Sequence, residues 1–250
     1  MRATVRSAVL AFTVGATAAV PGAAWAQAAD PGDTRIVGGK VTTERWPFTG
    51  SIQSGGRHSC GSALISPTWI VTAKHCVSGN GATIRLATND NASGGEMVQV
   101  TRWVRGGLDI ALGQLRSPAK TTPIPIAAEH GPIGTQTRLL GWGATTASGG
   151  SPARYLKELD TSIVDPSRCS YSGGNPDRER EICTDNPGGN QGACFGDSGG
   201  PQIKQVNGRW ELIGVTSRGE RICARNPSVY VSVSAHLDWV KQNVKDLPQS

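Results

Sequence analysis

The chain has 250 residues, which allows one or two domains with a sizeable core. It contains 33 glycines and only 5% aromatic residues, and this composition with short apolar runs favours an all-β architecture over a helical one. The formal net charge is +6, but basic and acidic residues are interspersed, so the charge indicates a solvated surface and not a nucleic-acid-binding site.

The first 28 residues have the pattern of an export signal peptide. Arg2 and Arg6 precede an apolar run, and alternating small residues around Ala26 form a cleavage pattern. The run is too short for a transmembrane anchor, it is interrupted by Pro21, and no later stretch is long enough to span a bilayer. We therefore expect a secreted, extracellular protein that has no membrane partner.

Strand-like runs follow the signal at short intervals. The first series lies at 48–53, 60–66, 69–75, 82–87, 96–104 and 108–115, and a Pro-rich linker is predicted at 117–135. The second series lies at 137–143, 157–164, 202–217 and 228–234, with an Asn-Gly hairpin signal at Asn207 and Gly208. Two series of about six strands favour two six-stranded antiparallel β-barrels, over about 47–116 and about 136–233.

The tail has a different periodicity. Apolar residues recur at three- and four-residue steps after a capping Ser234, at Leu237, Val240, Val244 and Leu247. This pattern predicts one amphipathic C-terminal α-helix over 234–247.

Six cysteines lie beyond the signal peptide. In an oxidising compartment an even number indicates three disulfides, although the sequence leaves 15 pairings open. The cysteines are Cys60, Cys76, Cys169, Cys183, Cys194 and Cys223.

The stretch "CFGDSGGP" places Ser198 among glycines. Glycines let the backbone bend so that several N–H groups point at one place, which a serine nucleophile needs to stabilise an oxyanion. The N–H groups of Gly196 and Ser198 are the predicted pair of donors. The alternative interpretation is an ordinary serine in a Gly-rich turn.

A serine nucleophile needs a base, and the base needs an orienting acid. His75 follows an apolar run directly before Cys76, and Asp109 lies within a strand-like apolar run, where an unpaired carboxylate would be costly. The three residues together favour a Ser–His–Asp triad. For the other histidines, His58, His130 and His236, the expectation is a solvated side chain in a turn or on the C-terminal helix.

A zinc site is the rival interpretation. His58, Cys60, His75 and Cys76 could supply four ligands, but an adjacent His-Cys pair is awkward for one tetrahedral site and export favours disulfides. No metal and no cofactor are therefore expected.

The motifs "IVGG", "TAKHC", "DIAL" and "GDSGGP", in that order, resemble the chymotrypsin/trypsin family of serine proteases, as a secreted, bacterial-type member. The resemblance covers the chain from Ile36 to the C-terminal helix, and it implies two six-stranded barrels with the site between them. It implies that Ser198 is the nucleophile, His75 the general base and acid, and Asp109 its orienting partner. Ser217 would donate a hydrogen bond to the aspartate.

The resemblance also implies a disulfide pairing and an activation step. The pairs would be Cys60 with Cys76, Cys169 with Cys183, and Cys194 with Cys223. Cleavage after Arg35 would remove an activation propeptide, residues 29–35, from the protease domain, residues 36–250. The new ammonium of Ile36 would then pair with Asp197, so the chain as written would be a zymogen.

The same resemblance implies a neutral substrate pocket. Its residues would be Gly192, Ala193, Ser217, Gly219 and Ser228, none of which is charged. Such a pocket favours a large apolar P1 side chain, because burying an arginine without a counter-ion is costly. The alternative is a Lys or Arg preference supplied by Glu220 or Asp185. With a neutral pocket, self-cleavage after Arg35 is not expected.

Some positions depart from the family pattern. Arg218 stands where a tryptophan usually walls the site upstream of P1, and a preference for acidic residues there is one expected consequence. Thr88 replaces a calcium-ligating glutamate, so no calcium site is inferred, although a weak one through Asp90 or Glu96 stays open.

The expected partners are protein or peptide substrates, an activating trypsin-like protease and protein protease inhibitors, with a monomer as the default state. The rival class of function is a catalytically silent binding protein on the same fold. Such proteins typically lack a triad member or the activation site, and neither is missing here.

Overall fold

The structure is a computed structural model that describes residues 1, 36–77, 79, 81–170 and 174–248. The chain divides into two units, 1–31 and 32–250, and only Met1 of the first unit is described. Apart from Met1, the predicted signal peptide (1–28) and activation propeptide (29–35, with Arg35) therefore lie outside the described residues.

The second unit is made of β-strands followed by one short α-helix. In chain order the elements are β1 (Lys40–Val41), β2 (Thr49–Ser54), β3 (Arg57–Ser66), β4 (Trp69–Thr72), β5 (Thr83–Leu86), β6 (Glu96–Arg105), β7 (Ala111–Leu115), β8 (Gln136–Gly141), β9 (Lys157–Ser162), β10 (Glu181–Thr184), β11 (Pro201–Val206), β12 (Arg209–Arg218), β13 (Ser228–Ser232) and α1 (Leu237–Asn243).

Strands β2 to β7 form a closed antiparallel barrel in the order β2-β3-β4-β7-β6-β5. Pairing of β2 with β5, for example Ile52 with Ile84, closes the ring. Buried and exposed side chains alternate along β6, as expected for a strand with one face towards a barrel interior. Val98 and Val100 are buried, while their neighbours Gln99 and Thr101 are exposed. The barrel interior is therefore filled with aliphatic side chains.

The remaining strands form a seven-stranded antiparallel sheet in the order β1-β9-β8-β11-β12-β13-β10. An isolated bridge between Ile163 and Thr184 brings the end of β9 to the other edge strand, β10. The six strands β8 to β13 therefore come round into a second ring, and β1 lies outside it on β9. The predicted all-β fold class is confirmed, with one closed six-stranded barrel, a second sheet and a short C-terminal helix.

Local differences from the predicted elements have simple causes. The run at 202–217 is a hairpin that turns at Asn207 and Gly208, whose φ angles are 50° and 78°, as the Asn-Gly signal predicts. Strand β10 was missed because its sequence, Glu-Ile-Cys-Thr, has neither the apolar run nor the alternation that marks a strand. It contributes one edge of the second sheet.

The C-terminal helix is shorter than the predicted span of 234–247. Ser234–His236 form a 3₁₀ turn, and the α-helix runs only from Leu237 to Asn243. It ends because Val244 has an extended backbone, with φ −114° and ψ 115°. Val244 is nevertheless buried. Its spacing from Val240 predicted a helix, but an extended segment places its side chain in the core.

No helix in the described ranges is long and apolar enough to cross a membrane.

A strap of residues 88–93, between β5 and β6, is hydrogen-bonded to residues 153–156, which precede β9. Asn91 N donates to Arg154 O at 3.0 Å, and Leu156 N donates to Asn89 O at 2.7 Å. The Arg154 guanidinium lies 3.0 Å from the Asp90 carboxylate. The first barrel is thereby tied to the segment that follows β8 in the second.

The strap also contacts Trp142, which follows β8, because Trp142 Nε1 donates to Asn89 O at 3.0 Å. Burial alone would raise the pKa of Asp90, but hydrogen bonds from Arg154, the Ala92 N–H and Ser93 outweigh it and lower the pKa from 3.8 to about 2. The ionised carboxylate is therefore the form that holds the strap closed.

We expect Asp90→Asn to reduce the loss of unfolding free energy that the domain shows at low pH. Because the folded-state pKa lies below the ordinary value, the Asp90 contribution to the free energy of unfolding is complete above pH about 4 and is lost as the pH falls towards about 2. Urea unfolding measured across this range should show a smaller pH dependence in the variant. A matched Asp238→Asn control removes an exposed carboxylate of α1. Equal pH dependence in Asp90→Asn and the parent chain would contradict the strap's role.

Candidate active site

The candidate residues meet in a cleft of about 280 Å³ that the two barrels share. His75 lies on a 3₁₀ turn, Lys74–Cys76, directly after β4 of the first barrel. Ser198 precedes β11 and Ser217 lies near the end of β12, both in the second barrel. Residues far apart in the chain are therefore brought to one cleft.

Asp109 holds the histidine from behind. Its Oδ2 accepts from His75 Nδ1 at 2.7 Å and from Ser217 Oγ at 2.7 Å, and its Oδ1 accepts from His75 N at 2.9 Å. Three donors on one carboxylate fix the imidazole with Nε2 directed away from the acid.

These contacts shift both pKa values. The hydrogen bond to Asp109 raises the pKa of His75, against the lowering effect of its burial. Burial would raise the pKa of Asp109, but the bonds from His75 and Ser217 outweigh it and the pKa is lowered. The pair therefore suits an aspartate that stays ionised beside a histidine that exchanges protons.

Within the described residues, no hydrogen bond joins Ser198 Oγ to His75. Contacts of this kind are often long in a free enzyme and tighten when substrate binds. The backbone around Ser198 is nevertheless fixed, because Ser198 O accepts from Gly61 N of β3 at 2.8 Å. The barrels approach closely here: a Cβ atom on Gly61 would lie 2.6 Å from the Gly200 Cα.

Three disulfides brace the domain, and they join the pairs that the resemblance implies. They link Cys60 with Cys76, Cys169 with Cys183, and Cys194 with Cys223. Because Cys60 and Cys76 are bonded to each other, their thiolates are not available as zinc ligands, and the rival zinc site is wrong. The first disulfide instead fixes the turn that carries His75.

The turn before Ser198 orients two N–H groups. Phe195 O accepts from Ala144 N at 2.7 Å, and because a trans peptide is planar, the N–H of Gly196 points to the opposite side. Gly196 has φ +97°, a conformation that glycine adopts without strain. Among the described residues, the N–H groups of Gly196 and Ser198 donate to no protein acceptor. Both are available to an anion in the cleft.

The sequence did not predict a hydrogen-bonded chain that lies behind this turn. His58 Nε2 lies 2.9 Å from Gly196 O, and its Nδ1 lies 2.7 Å from Ser51 Oγ, which accepts from Gln53 Nε2 at 2.7 Å. Burial lowers the pKa of His58 to about 4, against the raising effect of the Gly196 carbonyl, so its ring is neutral at pH 7. The expectation of a solvated His58 is therefore wrong.

The carboxylate of Asp197 is buried under the same turn. It accepts from Gly143 N at 2.7 Å and from Cys194 N at 2.9 Å. Burial raises its pKa to about 7, although the two N–H groups oppose the shift. No side-chain cation in the described part of the chain forms an ion pair with it.

The segment that begins with Ile36 is docked on the second barrel. The Ile36 side chain is 1% exposed and packs with the second barrel's apolar core, which includes Leu139 and Tyr230. Val37 O accepts from Gly192 N at 2.9 Å. This contact joins the segment that begins with Ile36 to Gly192, directly before the cleft residue Ala193.

The candidate pocket opens from the cleft beside Ser198. Ala193, Ser217, Gly219 and Ser228 line it, together with Glu220, whereas Gly192 contacts Val37 as described above. A Cβ atom on Gly219 would lie 3.3 Å from Ser228 Oγ, so these two walls are already close.

Of the two acids weighed as a counter-charge, Asp185 lies 2.8 Å from the Arg168 guanidinium and is neutralised there. The expectation that Asp185 supplies a counter-charge to the pocket is therefore wrong. Among the described residues, Glu220 is the carboxylate that lines the cleft.

The two carboxylates weighed as calcium ligands are engaged with protein donors. Asp90 binds Arg154, and Glu96 accepts from Lys120 N and Thr121 N at 3.0 to 3.2 Å. Neither carboxylate is therefore arranged to hold an ion.

A hydrogen-bonded histidine–aspartate pair beside a serine, in a cleft between two β-sheets, is the arrangement of a serine hydrolase. The family model for trypsin matches residues 36–240. The chain therefore belongs to the trypsin family and is a serine endopeptidase that hydrolyses protein substrates. Its three disulfides fit an extracellular protein.

We expect Gly143→Ala to disable the cleft without unfolding the domain. The new Cβ would lie 2.2 Å from Asp197 Oδ2, so the carboxylate and the turn above it must shift, and the N–H of Gly196 moves with them. Loss of one oxyanion donor lowers kcat by about 100-fold or more. Peptide hydrolysis and thermal unfolding should be measured together, with Gly107→Ala, which meets open space, as the control. Full activity in Gly143→Ala would show that Asp197 does not position the turn.

Proposed function

We propose that the chain is the precursor of a secreted serine endopeptidase that is activated by cleavage after Arg35 and then cuts after large apolar residues. The observation that carries the proposal is the hydrogen-bonded series Ser217–Asp109–His75 beside Ser198. The cleft is lined largely by small uncharged residues, with Glu220 as a carboxylate among them.

In the proposed mechanism, Ser198 Oγ attacks the carbonyl carbon of the scissile bond while His75 Nε2 accepts its proton. The negative charge on the carbonyl oxygen is stabilised by the N–H groups of Gly196 and Ser198. Protonated His75 then gives its proton to the departing amine, which leaves an acyl-enzyme. Water, deprotonated by His75, hydrolyses the ester and restores Ser198. Asp109 stays ionised throughout and stabilises the imidazolium.

We expect Asp109→Asn to lower kcat by about 10⁴-fold, because an amide cannot hold His75 with the proton on Nδ1. The pH profile should change as well. The pKa of His75 is raised by Asp109, and only the neutral imidazole accepts a proton, so activity of the parent enzyme rises as the pH passes through that raised value. In the variant this rise should move to lower pH. The profile of kcat/KM, with Asp238→Asn as a control, tests the assignment, and an unchanged profile would contradict it.

Several contacts support activation at Arg35–Ile36. The Ile36 side chain is buried in the second-barrel core, and the carboxylate of Asp197, in the same half of the domain, is buried with a raised pKa. A new ammonium at Ile36 would lower that pKa and stabilise the ionised carboxylate. Gly38, with φ +78°, suits the turn, since a Cβ there would lie 2.2 Å from Gln191 Cγ.

The neutral pocket supports a preference for Phe, Tyr, Leu or Met at P1. An arginine side chain buried there without a counter-ion would keep its desolvation cost, which amounts to several kcal/mol. Among the described residues that line the cleft, Glu220 is the one carboxylate, and it favours the second candidate, a preference for Lys or Arg.

The test is to cleave the purified precursor with trypsin, block the trypsin and assay peptides that differ only at P1. We expect kcat/KM for the apolar residues to exceed that for Arg and Lys by about 100-fold. A precursor with Arg35→Gln, treated in the same way, should stay inactive.

Three results would overturn parts of the proposal. A preference for Arg or Lys would assign the counter-charge to Glu220, and prompt appearance of an Ile36 N-terminus in the untreated precursor would show self-activation. If no peptide is cleaved after trypsin treatment, the proposed activation is wrong.

A further inference from the structure

One strand of the first barrel contacts the backbone of both residues that are proposed as oxyanion donors. His58 and Gly61 lie in β3. His58 Nε2 lies 2.9 Å from Gly196 O, and Gly61 N donates to Ser198 O at 2.8 Å. The carbonyl groups of Gly196 and Ser198 are therefore held from the first barrel, although both residues belong to the second.

The direction of each hydrogen bond in the chain of Gln53, Ser51 and His58 is fixed. The carbonyl of Gly196 can only accept, so His58 Nε2 carries a proton and donates it. Burial lowers the pKa of His58 to about 4, so at pH 7 the ring is neutral and Nδ1 accepts from Ser51 Oγ at 2.7 Å. Ser51 Oγ in turn accepts from Gln53 Nε2 at 2.7 Å. Each member can reverse its role only by breaking a neighbouring bond.

The far end of this hydrogen-bonded chain is the strap of residues 88–93. Gln53 Nε2 also donates to Asn91 O at 3.0 Å, and Asn91 lies in the strap. If the Gln53 amide were turned over, its oxygen would face the Asn91 carbonyl, and two acceptors would repel each other. The strap therefore selects the orientation in which Gln53 donates to Ser51.

Trp142 gives the strap a second contact with the same histidine. Its Nε1 donates to Asn89 O at 3.0 Å, and its ring lies beside the His58 ring, with 5.5 Å between the ring centroids. Trp142 is fully buried. Because protein interiors are close-packed, a displacement of the strap at Asn89 reaches the imidazole through this ring.

The members of the hydrogen-bonded chain are shielded from water. The exposed fractions of Ser51, Gln53 and His58 are 0%, 5% and 9%. A buried polar group that loses its partner keeps its desolvation penalty, since water does not reach it to replace the bond. Loss of one member is therefore felt by the next.

We propose that Gln53 is a positioning residue for the oxyanion donors, and that the hydrogen-bonded chain couples the strap to the peptide group after Gly196. The inference deepens the proposed function and rests on it, because it assumes that the Gly196 N–H binds the oxyanion. Gly196 has φ +97° and the conformational freedom of glycine, so the direction of its N–H depends on how firmly both flanking peptide groups are held. Ala144 N holds the one before it, and His58 holds the one after it.

The expected effect is moderate and concerns kcat. Asp197 N donates to Cys194 O at 2.9 Å, which keeps part of the hold on the peptide group after Gly196. Loss of an oxyanion donor lowers kcat by about 100-fold or more, so a loosened donor should cost about tenfold. The oxyanion forms only during bond breaking, and KM should therefore change little.

The experiment measures kcat and KM of the trypsin-activated enzyme with one apolar-P1 peptide at pH 7. A covalent serine probe titrates the competent sites, so kcat per site does not depend on how much protein has unfolded. Gln53→Met removes the donor with little change in size, and we expect kcat to fall about tenfold while KM changes less than about twofold. Gln99→Met, at an exposed position of β6, is the matched control and should keep the parent kcat.

Two variants at His58 separate donation from packing. His58→Leu removes the donor to Gly196 O and should lower kcat about tenfold, whereas His58→Gln keeps an N–H that can reach this carbonyl and should restore most of the activity. In the His58→Leu background, Gln53→Met should lower kcat by less than about twofold, because both substitutions interrupt the same hydrogen-bonded chain.

Asp90→Asn tests the strap itself, because it weakens the contact with Arg154 that holds the strap closed. We expect kcat to fall about threefold in the parent enzyme and to stay unchanged in the His58→Leu background. If Gln53→Met gives no titratable sites, this comparison decides the inference, since it leaves the buried side chain of Gln53 in place.

The outcomes distinguish this inference from the proposed function. An unchanged kcat in Gln53→Met, a rise of KM alone, or additive effects of the Gln53 and His58 substitutions overturns the role of Gln53 while the proposed function stands. An equal effect of Asp90→Asn with and without His58 overturns the coupling to the strap. If the trypsin-treated parent cleaves no peptide whatever its P1 residue, the proposed function fails and this inference falls with it.

Discussion

Two backbone N–H groups hold the buried carboxylate of Asp197, and the arrangement of the cleft depends on this contact. The space around the carboxylate admits only glycine, since a Cβ atom at Gly141 or Gly143 would lie 2.0 or 2.2 Å from its oxygens. The same carboxylate binds Cys194 N, at the start of the turn that carries Gly196. A side chain with no part in the proposed bond breaking therefore fixes the turn whose N–H groups we propose as oxyanion donors.

The cleft contains two pairs of an acid and a base, and in both the acid lies deeper. The side chains of Asp109 and His75 are 24% and 46% exposed, and those of Glu181 and Arg218 are 6% and 29% exposed. Each carboxylate orients the nitrogen-bearing group in front of it. The more exposed member of each pair is therefore the nitrogen-bearing side chain, and the carboxylate that orients it lies behind it.

The sequence predicted those parts of the fold that have a local signal. Short strand-like runs separated by turn residues predicted the strands of the first barrel, and the Asn207–Gly208 pair predicted the hairpin because the turn requires those backbone angles. The residue types also made His75, Asp109 and Ser198 candidates, because a serine nucleophile needs a base and the base needs an orienting acid. The structure brings them to one cleft.

The contacts that were missed are non-local. His58 follows a Gly-Gly turn and looks solvated, but it is buried because the second barrel covers it with the carbonyl of Gly196. The pairing of Arg218 with Glu181 spans 37 residues and crosses an intervening strand, so no spacing rule reveals it. Pairings of this kind depend on which strands become neighbours, and four-residue β10 gave no periodic signal.

The close approach of Gly61 to Gly200 limits how the two barrels can change. No side chain fits between them, and the N–H of Gly61 holds the carbonyl of Ser198. A shift of either barrel by the width of a methyl group would move the serine relative to the histidine that the other barrel carries. The halves must therefore vary as a matched pair, and a hybrid that takes each barrel from a different relative would need a glycine at the Gly61 position of its first barrel before it could align its own cleft.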